Sequence, residues 1–166
     1  MVPESLILLA GFALAHAVWS VSDLPKGELL VPLAMVEESG QRKLLRFEAD
    51  TQEVAIAKGK ALLAQQEQSL DSWAFAREGQ FKEGDRYVDV ISVSAKVRGM
   101  AEPIVFVQRF RPFSTGQFQL IGDPMVIISG NVLPQSEAAL YLKSLREGVN
   151  SHAKVAPLWQ GWIVAK

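Results

Sequence analysis

The chain has 166 residues, of which 49% are hydrophobic and 21% charged, with 17 basic and 18 acidic side chains and no cysteine. A disordered chain would be less apolar and carry a larger net charge, and a collagen-like one would hold far more than 12 glycines and 8 prolines. Without cysteine there is no disulfide framework and no thiolate metal site. A formal charge of −1 gives no general attraction for nucleic acid or an anionic bilayer.

The first element is a helix over about residues 4–21. From Leu6 to Val21 there is no formal charge, and all but Gly11, His16 and Ser20 are apolar. Sixteen such residues fall short of the roughly 20 that span a bilayer. Ala15-His16-Ala17 resembles a signal-peptide cleavage site, which would export the chain after removal of residues 1–17, but Met1-Val2-Pro3-Glu4 lacks the usual positive charge. A helix apolar on all sides, begun by Pro3 and Glu4 and buried centrally or in a subunit interface, is the reading favoured here. It places the chain in the cytoplasm and away from the membrane.

Beyond the Pro25 and Gly27 loop, Glu28 to Glu37 and Arg42 to Ala49 read as strands closed into a hairpin at Ser39-Gly40-Gln41. Asp50 and Glu53 form a capping-box pattern that opens a helix from Thr51 to about Gln68. Strands then follow at Ser72 to Arg77, Arg86 to Arg98, Ile104 to Arg111, Phe118 to Ile121 and Met125 to Ser129. Their short connections suit antiparallel neighbours. Pro134 begins a last helix to about Gly148, and an irregular tail over 155–166 carries Trp159 and Trp162. Because helices and strands segregate, the expected class is α+β, a mainly antiparallel sheet of hairpin plus meander packed with about three helices in a single domain over 1–166.

No nucleotide-binding glycine motif, zinc-helix motif or serine elbow occurs, and the two histidines are too few for a three-histidine zinc site within one chain. No metal or cofactor is expected. His16 reads as a hydrogen-bonded core residue, and His152 as a cation at a helix end.

The meander allows an argument from register. Tyr87, Ile91, Val93 and Val97 mark the inward face of their strand, interrupted by Asp89. Ile104, Phe106 and Phe110 mark that of the next, interrupted by Gln108, with Arg109 and Arg111 opposite. Rings and charges therefore lie on different faces, which argues against a base-stacking platform and leaves nucleic acid out of the expected partners. Trp73, Phe75 and Arg77 share one face of the preceding strand, whereas Ser72, Ala74 and Ala76 form a small-residue face suited to lying under a helix. If the aromatic face joins the inner surface, Trp73, Arg77, Tyr87, Asp89 and Gln108 form a partly polar patch on an apolar floor, as in a small-molecule pocket. Arg77 and Asp89 read equally as an ion pair at the sheet rim.

These features suggest a non-catalytic module that binds a small molecule or a protein on the inner sheet surface. The apolar first helix and the tryptophan tail further suggest self-association, with a homodimer as partner. The alternative is a small enzyme in which Asp89 and His16 or His152 act as acid and base in a sheet-lined cleft.

Overall fold

Alternating apolar and polar residues along the middle of the chain produce a sheet with two differently covered faces. In the structure, a computed structural model describing residues 2–165, the elements are α1 (Glu4–Val21), β1 (Leu33–Glu38), β2 (Gln41–Arg46), α2 (Gln52–Gln65), β3 (Ser72–Glu83), β4 (Arg86–Val97), β5 (Ile104–Arg111), β6 (Gln119–Ile128), β7 (Asn131–Val132), α3 (Gln135–Asn150), α4 (Ala156–Trp162) and β8 (Ile163–Val164). The strands form one sheet in the order β2-β1-β3-β4-β5-β6-β7. All these pairings are antiparallel, and β8 joins β6 in parallel. The class is α+β, with four helices around a mainly antiparallel sheet.

One face carries Leu33, Met35, Ala74, Ala76, Ile91, Val93, Ala95 and Phe106, all buried and packed with α1. The alanines of β3 and β4 remove side-chain bulk just where α1 lies on the sheet. On its far side α1 is crossed by α3, which explains why a helix without a polar face is stable here. Gly11 and Gly148 meet at that crossing. A Cβ on Gly11 would sit 2.2 Å from the Leu145 carbonyl oxygen, and one on Gly148 would sit 2.3 Å from that of Leu8. The helices approach so closely because neither position has a side chain.

The opposite face carries Ala34, Val36 and Phe75, which join Phe47, Leu63 and Leu70 beneath α2. The aromatic face of β3 thus turns away from the main core. The physical reason is volume: α1 needs the flat Ala74 and Ala76 side, while Phe75 and Trp73 fill the wider space toward α2. Gly59 of α2 rests on the Phe75 ring, where a Cβ would come within 2.5 Å.

Several boundaries differ from the sequence reading. Residues 28–32 are not in a strand, because Pro32 has no N–H for the ladder; the segment is tied down by the Leu30 N–H donating to Glu78 Oε1 at 2.9 Å. The cap of α2 is Thr51, not Asp50, and its hydroxyl oxygen accepts from the Val54 N–H at 3.2 Å. β3 continues to Glu83 and pairs with β4 along its whole length around a turn at Gly84, whose φ is +62°. The two short strands expected on either side of Gly122 are one strand, β6, because a register shift opposite Val107 to Arg109 absorbs the irregularity.

The tail is not irregular. Val155 begins a helical turn, and Trp159 inserts into the main core while Trp162 packs edge-on against Phe118 at 5.4 Å between centroids. Both segments that suggested self-association, α1 and the tryptophan tail, therefore pack within the chain.

Candidate functional site

The five residues expected to share a patch do not meet. Trp73 and Arg77 lie on the α2 face of the sheet, as their pairing with Val36 and Ser92 requires, whereas Asp89 and Gln108 lie on the α1 face. Asp89 and Gln108 face inward as the alternation predicts, but the aromatic face of β3 turns toward α2 instead of joining them.

Tyr87 and Asp89 share their surroundings, and the others stand apart from them. Gln108 is buried to 1% exposure, and its amide nitrogen donates to the carbonyl oxygens of Arg109, Ile121 and Gly122 at 2.9, 3.4 and 3.2 Å. Its amide is satisfied by backbone acceptors beside the register shift of β5 and β6, so its polarity is spent on the fold. Asp89 accepts from Gln80 Nε2 at 2.9 Å, rather than pairing with Arg77. With the exposed Tyr87 it borders a recess at the end of the β3–β4 hairpin, also lined by Arg86, Arg109 and Arg111. There Arg109 is already paired with Glu83 at 3.0 Å. Trp73 lines a separate groove beside α2 with Lys60 and Lys96, and Lys96 is bound to Glu67.

The structure instead brings together two residues that were read separately, His16 of α1 and His152 just after α3. Their rings form a hydrogen bond between His16 Nδ1 and His152 Nε2 at 3.1 Å, across 136 residues of sequence. The Gly11–Gly148 crossing makes this contact possible: His16 follows Gly11 by five residues and His152 follows Gly148 by four, so the tight approach of the backbones delivers both imidazoles to the same end of the helix pair. Phe12 and Trp19 flank His152, with ring centroids 4.9 and 6.2 Å away.

These side chains line a recess of about 560 Å³ between α1, the β1–β2 hairpin and the end of α3, which Met35, Arg42, Leu44 and Lys154 complete. A smaller one of about 180 Å³ adjoins His16 and Trp19 on the side of Arg46 and Leu29. Leu44 and Leu29 are large apolar side chains left 40% and 52% exposed, one at each recess. Arg42 spreads over the Phe12 ring at 5.1 Å and pairs with Glu37 at 3.4 Å. Lys154 sits over Trp19 at 4.7 Å, a cation–π contact. Among the described residues, no carboxylate lines the larger recess.

The electrostatics follow from that composition. Burial, then the neighbouring His152, Arg46 and Lys154 charges, hold the His16 pKa below the ordinary imidazole value. Burial likewise lowers that of His152, with Lys154 adding to the effect and a hydrogen bond to its own backbone opposing it. Both rings are therefore neutral near pH 7. The acid and base of the enzyme alternative are not assembled, because Asp89 lines a different recess from the histidines. Among the described residues, no three or more of His, Asp and Glu are grouped to hold a metal ion.

Nothing in the sequence spacing of His16 and His152 announces the pair. The available signal was indirect: each histidine follows a helical glycine by four or five residues, His16 within α1 and His152 just past α3. No protein-family model matches the chain, and no curated protein or solved structure matches it either.

Proposed function

We propose that the protein is a binding module that takes a small, largely apolar molecule in the recess over the His16–His152 pair. The observation that carries this reading is the recess itself, where Phe12, Trp19, Met35 and Leu44 provide apolar walls and a few polar groups converge from three elements. Apolar lining with sparse, convergent polar groups is the composition of small-molecule sites. It keeps the sheet surface under α1 as the binding face and moves the site to the edge formed by β1 and β2. A protein partner fits the lining less well, since Leu44 is the one large apolar side chain there that stands exposed.

The test uses aromatic fragments of about 10 to 15 heavy atoms, a size at which weak binding is still measurable, screened by ligand-observed NMR against the wild type and Leu44→Glu. Leu44 is partly exposed on the edge strand, so the substitution leaves the melting temperature within a few degrees while placing a charge in the apolar wall. Fragments that bind the wild type are expected to lose about tenfold or more in affinity, a change of about 1.4 kcal/mol. Binding that is indifferent to Leu44→Glu moves the site elsewhere.

A further inference from the structure

We propose that the ligand of this recess is a carboxylate with an aromatic or branched apolar body, and that its binding loads one proton onto the His16–His152 pair. The inference rests on the recess being the binding site and adds the charge of the ligand and the pH dependence of its capture.

The charge follows from what faces the pair. β2 contributes Arg42 and Arg46, the segment after α3 contributes Lys154, β1 contributes the apolar Leu33 and Met35, and α1 itself contributes Phe12 and Trp19. The acid nearest to these groups, Glu37, is turned to Arg42 at 3.4 Å and lines neither recess. An apolar cavity with cations at its rim and no carboxylate attracts an anion that also has apolar surface. A single negative charge fits better than a phosphate dianion. The recess lies at the C-terminal end of α3, the negative end of its dipole, which adds to the repulsion a dianion would meet.

The proton follows from the geometry of the pair. With both rings neutral, one N–H spans the 3.1 Å gap, and of the two outer nitrogens one carries a hydrogen and the other does not. That bare nitrogen takes up the incoming proton, which leaves the bridging hydrogen bond intact and makes it charge-assisted. His152 Nδ1 is sealed from solvent, whereas His16 is half-buried and borders both recesses. His16 Nε2 is therefore the outer nitrogen that a ligand can reach. In the empty recess, burial and the surrounding cations keep the pair neutral. A carboxylate in contact with the pair reverses the balance, because an opposite charge favours the protonated form. By linkage, a ligand that raises these pKa values binds more tightly as pH falls through them, by at most about tenfold per pH unit for one proton.

The experiment titrates the full chain calorimetrically with phenylacetate, 4-phenylbutyrate and indole-3-acetate, each beside its uncharged amide, at about pH 8, pH 7 and pH 6, where the carboxylates stay ionised. Each measurement is made in two buffers of different ionisation enthalpy, so that proton uptake is read directly. At least one carboxylate is expected to bind several-fold more tightly at pH 6 than at pH 8, taking up between zero and one proton, while its amide binds more weakly and without pH dependence. In His16→Gln the pH dependence is expected to vanish, with binding at pH 6 no tighter than at pH 8. Tight binding of an amide with no preference for its acid, or carboxylate binding with no proton uptake, overturns the inference and leaves the recess standing as a site. Failure of all six compounds to bind at any pH overturns both.

Discussion

Gly148→Ala is expected to destabilise the protein by about 3 kcal/mol and to lower its melting temperature by roughly 10 °C. In an ordinary helix interior, this substitution would add stability, since alanine is the better helix former by about 1 kcal/mol. Here the new methyl would stand 2.3 Å from the Leu8 carbonyl oxygen and 3.0 Å from the Gly11 Cα. Both are backbone atoms, so no side chain can rotate away, and α1 and α3 must separate. Gly161→Ala in α4 supplies the control, because nothing lies within 4 Å of its added Cβ, and it is expected to be neutral or stabilising. Chemical denaturation of the two variants measures the difference. A stable Gly148→Ala protein would mean that the crossing is looser than described here, and that the two histidines are not held together by it.

Removal of the first 17 residues is expected to abolish folding altogether. The removed part of α1 contributes Leu6, Ile7, Leu9 and Leu14 at 0 to 5% exposure. Burying four such side chains is worth roughly 6 to 12 kcal/mol, comparable with the entire stability of an ordinary domain, about 5 to 15 kcal/mol. The loss would also strip the cover from Ala74, Ala76, Ile91 and Val93, which pack with α1 in the main core. Circular dichroism with proteolysis of the shortened chain decides the point: a cooperative, protease-resistant domain lacking residues 1–17 would restore the reading of that segment as a leader. The expectation rests on the burial of α1 in the main core.

Much of the architecture was legible in the sequence because the signals were local. The uncharged run from Leu6 to Val21 specified α1, and alternation in β4 and β5 placed Ile91, Val93 and Phe106 inward and Arg109 outward. Two kinds of information were not local. The side of β3 that faces α1 depends on how closely that helix approaches, and both Ala74/Ala76 and Trp73/Phe75 are plausible core faces until α2 is placed on the second one. The histidine pair depends on a contact between the first and last thirds of the chain, created by Gly11 and Gly148. Gln108 shows the converse. Its inward position was correctly read, yet its partners are the carbonyls of a bulge, which no strand pattern reveals.

A two-dimensional NMR titration with 4-phenylbutyrate at about pH 6, following histidine ring and tryptophan indole resonances, reads whether a small molecule sits over the His16–His152 pair, since ring nitrogens report protonation in this pH range. Saturable shifts are expected at His16, His152 and Trp19 with one common dissociation constant, with Trp73 on the far face of the sheet unchanged. Shifts confined to Trp73, or to residues beside Tyr87 and Asp89, with both histidines silent, would place the ligand elsewhere.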